Sequence, residues 1–213
     1  MARAKREFHH PVFARLYTKL AKAMEPGQRE HRGALLAGLE GFVVEVGAGS
    51  GMNFSHYPES VARILAIEPE PYLRHQAELV AQSYGEKITV LDASAYAIPA
   101  ETASADAVVF SLVLCSVGDQ GRALVEAKRV LKPGGLLCVY EHVAASGPSR
   151  RRYQDRVDFP WSKIAGGCHC NRETEAALRG AGFDVSELKA FDFRGTPRLV
   201  PVEPHVLGQL TLR

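Results

Sequence analysis

The chain has 213 residues, 46% of them hydrophobic and 23% charged, with a net charge of +2. At roughly 150 residues per domain these values suit one soluble globular domain and exclude widespread disorder, collagen and a disulfide mini-protein. The most apolar stretch, 107–117, carries Ser111 and Ser116 and is far short of the roughly 20 residues of a membrane span.

The opening MARAKREFHH has basic residues with no apolar segment behind them, so it does not read as an export signal. Cys115, Cys138, Cys168 and Cys170 therefore read as reduced thiols of a cytoplasmic protein. Residues 1–32 hold eight Lys/Arg against three Glu, which reads as a solvated helix face, with at most peripheral membrane contact and no nucleic-acid partner. Val12, Phe13, Leu16, Tyr17, Leu20 and Met24 recur at helical spacing. Pro26-Gly27 should break that helix, and a second should run from about Glu30 to Leu39.

From Phe42 the pattern alternates strand and helix. Strands are expected at Phe42–Val46, Arg63–Ile67, Lys87–Leu91, Ala107–Leu114 and Leu136–Glu141. Helices are expected at Pro71–Tyr84, at Gln120–Leu131 behind an Asp119 cap, and at Asn171–Arg179. This alternation predicts a parallel sheet covered on both faces. Phe183–Phe193 and Leu199–Leu212 then follow as two strands with no helix between them, so the last is antiparallel. Residues 143–170 fit neither period and read as a covering segment.

The chemistry begins at Val43-Val44-Glu45-Val46-Gly47-Ala48-Gly49-Ser50-Gly51, a strand running into three alternate glycines. Glycine permits the sharp turn and close ligand approach, and a following helix should present free N–H groups. Glu45 decides the ligand class. A carboxylate there repels a pyrophosphate and attracts an ammonium or sulfonium, which argues against a dinucleotide dehydrogenase. Glu68 ends the second strand, where a carboxylate can accept from both ribose hydroxyls. Asp92 ends the third, where it can accept from an adenine amine.

EVGAGSG, AIEPEP, LDASA, DAVVFSLVLCSV, LKPGG and the paired terminal strands together resemble the class I S-adenosylmethionine-dependent methyltransferases over about residues 40–213. The resemblance implies a Rossmann-like α/β fold with a seven-stranded sheet of order 3-2-1-4-5-7-6, strand 7 antiparallel and helices on both faces. It implies S-adenosyl-L-methionine as cofactor. Glu45, Gly47, Gly49 and Gly51 would contact its methionine part and Glu68 its ribose. Asp92 and Ala93 would border the adenine, and Ser111 would line the cofactor, with Ala48, Asn53 and Pro69 completing the set. FSLVLCSV (110–117), EHVA (141–144), Gly167-Cys168, NRET (171–174) and PHVLG (204–208) are similar to the group that includes alkyl-thiol S-methyltransferases. Animal members of that group begin with a membrane-anchoring apolar segment that this sequence does not show, and Glu68 stands where the group usually has Asp.

The resulting expectation is a helical extension (1–40) on a methyltransferase domain (41–213), with 143–170 covering the acceptor. The acceptor is a small or lipophilic molecule, preferably a thiol. N- or C-methylation of a lipid head group, quinone or natural-product intermediate stays open, as does a non-catalytic cofactor-binding protein. Cys115, His142 and Trp161 are the substrate-side candidates, with Phe159 as a further roof, and His142 is the one candidate base. Arg150-Arg151-Arg152 reads as a solvated loop. Cys168-His169-Cys170 lacks zinc spacing, so no metal is expected.

Overall fold

Each apolar run becomes a strand and most stretches between become helices. The order is α1 (Pro11–Leu36), β1 (Gly41–Val46), β2 (Val61–Ile67), α2 (Pro71–Ala81), β3 (Ile88–Leu91), β4 (Ala105–Ser111), α3 (Gln120–Val130), β5 (Leu131–His142), α4 (Pro148–Ile164), α5 (Thr174–Gly180), β6 (Lys189–Asp192) and β7 (Pro204–Leu210). The structure, a computed structural model, describes residues 11–193 and 199–213. The basic N-terminal decapeptide lies outside them, as do the side chains of Val12, Tyr17, Leu20 and Met24 that carry part of the first periodicity.

The seven strands form one sheet in the order β3-β2-β1-β4-β5-β7-β6. β1 to β5 pair in parallel, and β7 is antiparallel to both β5 and β6. Parallel strands here are buried on both faces, and the pleat divides their side chains. Val44, Val46, Val108, Phe110, Leu137 and Val139 pack against α3 and α5. Val43, Val109, Cys138 and Tyr140 pack against α1 and α2. Alternation then puts Glu45, Ser111 and His142 on the α1/α2 side of the sheet. The chain order reverses between β1 and β4, so the strand ends open a crevice there.

The expected Asp119 cap and the Pro71 helix start are both present, and Glu70 adds a cap that the sequence reading did not name. Glu70 accepts from Leu73 N–H (2.8 Å) with Pro71 in the first turn of α2, and Asp119 accepts from Arg122 N–H (3.0 Å) at α3. The carboxyl end of α1 is closed by Gln209 of β7, whose amide donates to the carbonyls of Leu35 and Ala37.

Four expectations need correction. Pro26-Gly27 does not break the first helix, and α1 runs through it. Gln28, Arg32, Leu35 and Leu36 are buried and hold the helix against the sheet, while Gly27 serves contact: a Cβ there would lie 3.1 Å from Phe193 Cζ. Tertiary burial outweighs the one hydrogen bond lost to proline. Secondly, the glycine turn leads into a single 3-10 turn, Phe54–His56, not a full helix. Thirdly, most of 143–170 is the 17-residue helix α4. It lacks an apolar stripe because polar groups anchor it. Buried Gln154 donates to Val143 and Pro201 carbonyls (3.2 and 2.9 Å) and accepts from Ala145 N–H (2.8 Å). Finally, the arginine run is in helix α4: Arg150 donates to Val200 carbonyl (2.6 Å) and Arg151 pairs with Asp155 and Glu173, so two of the three are fastened.

Candidate active site

A cavity of about 490 Å³ runs along the carboxyl ends of β2, β1, β4 and β5. At about 4.8 Å between neighbouring strands this row spans about 14 Å. Glu68 stands at the β2 end, Gly47 and Ala48 follow β1, Ser111 ends β4 and His142 ends β5. Two helices form its walls. Phe13, Leu16, Gln28 and Arg32 come from α1, and Trp161 and Ile164 from α4. Leu16 and Ile164 are 65% and 70% exposed.

The β1 turn is built on left-handed glycines. Gly47 and Gly49 have φ of +67° and +57°, and a Cβ on Gly47 would fall 2.6 Å from Val113 Cγ2. Gly51 (φ +79°) is outside the cavity lining. Its missing Cβ leaves room for Phe54, 2.8 Å away, and for the Ala77 backbone of α2. That glycine serves packing rather than the ligand.

Glu68 is buried, and each of its oxygens holds one backbone amide: Gly49 N–H at 2.8 Å and Glu70 N–H at 2.9 Å. Burial pushes its pKa up to about 7 against those two bonds. Glu45, on the floor, accepts from Asn53 Nδ2 (2.8 Å) and from Tyr57 Oη–H (2.9 Å). Burial raises it to about 7 as well, while both hydrogen bonds and the Arg32 charge act the other way.

The structure brings Glu45, Gly47, Ala48, Gly49, Asn53, Glu68, Pro69, Ser111, Cys115, His142 and Trp161 to one cavity. It does not bring Asp92 and Ala93 there. β3 is the edge strand, so its end is farthest from the crevice centre. Asp92 is 58% exposed at its side chain and pairs with Arg74 (3.3 Å). Leu73 of α2 and Ala95, three residues beyond Asp92, do line the cavity. Phe159 is likewise 72% exposed and turned out of the lining.

Arg32 is the residue sequence reasoning passed over. It is 3% exposed, and its guanidinium donates to Asn53 Oδ1 (2.6 Å), Gln28 Oε1 (2.9 Å), Glu25 Oε2 (3.2 Å) and Ser111 Oγ (3.4 Å). The solvated-face reading of the basic segment fails at this residue. Gln28 and Arg32 are four apart on the face that carries Leu35 and Leu36, and a polar pair on an apolar stripe was the available signal.

At the β5 end the loop after β4 is pinned by a carboxylate. Glu141, fully buried, accepts from the amides of Val113, Leu114 and Cys115 at 2.7, 2.8 and 3.1 Å. Leu112, just before them, holds φ of +62°. Burial carries Glu141 up to about 7, with the three amides pulling it down. His142 Nδ1 lies 3.6 Å from Cys115 Sγ and 3.4 Å from Cys168 Sγ. His169 and Cys170 turn elsewhere, His169 to Asp158 (2.6 Å) and Cys170 Sγ towards Gln154 carbonyl (3.7 Å).

The residues fit a positively charged sulfur nucleoside. Bare backbone at Gly47 and Gly49 admits its amino-acid arm, two buried acids face it, and the volume suits a small-molecule site. Residues 44–139 match the family model described as a methyltransferase domain. Thiol S-methyltransferase TMT1B of Mus musculus is 36% identical over 94% of this chain and 85% of its own length. Human thiol S-methyltransferase TMT1A is 35% identical over 78% of this chain and 68% of its own. Solved structures of S-adenosylmethionine-dependent methyltransferases from Thermotoga maritima and Aquifex aeolicus share the fold. The first has a TM-score of 0.67 and 22% identity, covering 95% of this chain and 99% of that one. The second has a TM-score of 0.64 and 18% identity, covering 92% and 98%. Glycine turn, acidic strand ends, antiparallel last strand and these likenesses agree: the chain belongs to the class I S-adenosylmethionine-dependent methyltransferases, in the branch that contains the thiol S-methyltransferases.

Proposed function

We propose that the protein methylates the sulfur of a small, apolar thiol. The observation that carries this reading is the segregation of charge along the cavity. The carboxylates that line it, Glu45, Glu68 and Glu70, belong to the β1 and β2 end. The β4/β5 end is lined by Cys115, Ser116, His142, Trp161 and Cys168; among the described residues no carboxylate lines it, and Glu141 stands behind it with both oxygens turned to the amides of Val113, Leu114 and Cys115. A thiolate is an anion, so an acid beside it would repel it, and a thiol needs less help to ionise than an amine or phenol.

Bound across the crevice, S-adenosylmethionine supplies a methyl group already activated by its positive sulfur. The chain's own part is alignment. Glu68 is set to hold ribose hydroxyls, and Gly47 and Gly49 let the methionine arm lie against the backbone. Glu45 offers negative charge towards the sulfonium. Holding nucleophile and methyl in line at contact distance supplies much of the acceleration of such a displacement. His142 Nδ1 faces the sulfurs of Cys115 and Cys168, so that nitrogen is turned to thiols. Helix α4, through Trp161 and Ile164, covers the acceptor end, and the apolar side chains there favour alkyl over charged thiols.

The test is methyl transfer from labelled S-adenosylmethionine to a panel of an alkyl thiol, an amine, a phenol and a lipid head group. The thioether alone is expected. Methylation of the amine or phenol with none on the thiol would overturn the reading.

A further inference from the structure

The two thiols and the imidazole at the β4/β5 end make a set that no sequence spacing announces. Cys115 comes from the β4–α3 loop, His142 ends β5, and Cys168 follows α4. Their sulfurs lie 3.6 and 3.4 Å from His142 Nδ1, and the three atoms fall within 4.8 Å of one another. A tetrahedral centre with Zn–S of about 2.3 Å and Zn–N of about 2.0–2.1 Å has N···S edges of about 3.5–3.6 Å and an S···S edge of about 3.8 Å. The nitrogen–sulfur separations are already those of a ligand set.

The scaffold holds them there. Cys115 N–H is fixed on Glu141, and its carbonyl accepts from His169 N–H (2.8 Å), tying the two loops together. Cys168 N–H is held by the Ala165 carbonyl (3.0 Å). Cys115 and Cys168 are 1% and 6% exposed, yet all three groups line the cavity. Soft thiolates with imidazole select zinc over magnesium or calcium. Three protein ligands with a fourth position open to a cavity is the pattern of reactive rather than structural zinc.

We propose that Cys115, His142 and Cys168 bind one Zn2+ ion, whose fourth position takes the sulfur of the acceptor thiol. The second half rests on the thiol reading above. On binding zinc the acceptor S–H gives its proton to water. A lone pair of the resulting thiolate forms the new S–CH3 bond as the bond from methyl to the sulfonium breaks, leaving that bonding pair on the donor sulfur. Zinc remains Zn2+ throughout. The methylated product is a neutral thioether, a weaker ligand, and leaves.

The experiment is elemental analysis of the purified, reduced full chain, followed by Co2+ substitution read by absorption. One metal ion per chain is expected, with thiolate-to-Co2+ charge transfer in the near ultraviolet and the visible bands of tetrahedral Co2+. Adding 2-mercaptoethanol should shift the visible bands. Cys168→Ser and His142→Ala should each lose them, and Cys138→Ala, altered in the core, should keep them. A wild-type chain that retains no zinc and gives no cobalt bands overturns the site without recourse to any variant. Bands that persist in both ligand variants overturn it too. Visible bands that 2-mercaptoethanol leaves unmoved overturn the sulfur-binding role. Thiol methylation at full rate by chelator-treated, metal-free enzyme sinks the zinc role but leaves the thiol reading standing. Cobalt bands with amine-only methylation leave the metal site standing and sink the thiol reading together with the sulfur-binding role that rests on it.

Discussion

Arg32 of α1 donates to Asn53 Oδ1 at 2.6 Å, and through Asn53 the guanidinium reaches Glu45 without touching it. The amide of Asn53 is thereby oriented: its oxygen accepts from Arg32, and its nitrogen donates to Glu45 Oε1 at 2.8 Å. The N-terminal helix and the glycine turn are one polar unit. Coupling a wall helix to the turn in this way makes α1 part of the site.

Replacing Arg32 with Met should therefore unseat α1 and leave Asn53 and Gln28 without their donor. The expected cost is about 3–5 kcal/mol in urea unfolding, the range for breaking a buried charged network. Arg32→Lys should recover little, since a single ammonium cannot span Glu25, Gln28 and Asn53. Full stability in the Lys variant would show that charge, not the fork geometry, matters.

The pH dependence follows from Glu45 and Glu68, both raised from 4.5 to about 7 by burial. Between those values the folded chain binds more protons than the unfolded one, so their contribution to stability falls as pH rises through that window. A sulfonium prefers the ionised carboxylates. The affinity for S-adenosylmethionine relative to its neutral product, S-adenosylhomocysteine, should rise roughly three- to tenfold between about pH 6 and about pH 8. Calorimetry on both ligands checks this, and Glu45→Gln should flatten the profile. A ratio independent of pH in the wild type would remove the electrostatic role of these acids.

Two glycine variants separate strain from collision. Gly85 (φ +58°, ψ −134°) lies in a backbone region that is essentially glycine's alone, with nothing within 4 Å of where a Cβ would stand, so Gly85→Ala should cost about 1–3 kcal/mol for backbone strain alone. Gly47→Ala adds a contact of 2.6 Å with Val113 and should cost a further 1–3 kcal/mol, roughly the penalty of overpacking, with loss of cofactor binding. Equal urea midpoints for the two would contradict the crowding at Gly47.

Glu141 is a structural anion. Glu141→Gln keeps one acceptor oxygen but sets an NH2 against an amide donor, so roughly 1–3 kcal/mol should be lost as one buried N–H goes unpaired. Hydrogen exchange at the amides of Val113, Leu114 and Cys115 should quicken together. Unchanged protection there would mean that the loop is held by something other than the carboxylate.

Much of this was legible because burial writes itself as composition. The Val-rich runs at β1 and β4, Pro71 in the first turn of α2, the cap residue Asp119 and the acids Glu45 and Glu68 all mark local rules. Helix α4 was not legible, because its inward anchor is an amide, Gln154, and no periodic stripe announces it. Asp92 falls outside the cavity lining and pairs with Arg74 at the end of the edge strand, a consequence of strand order that its local motif does not record. Arg32, and the meeting of Cys115 with His142 and Cys168, depend on contacts between segments far apart in the chain, which no local pattern records.

The most direct measurement is a crystal structure with S-adenosylhomocysteine bound. The ribose hydroxyls should lie on the Glu68 carboxylate, and the ligand's sulfur should point along the strand ends towards Cys115, His142 and Cys168. An adenosine seated at the β5 end, or a ribose with no contact to Glu68, would contradict the account.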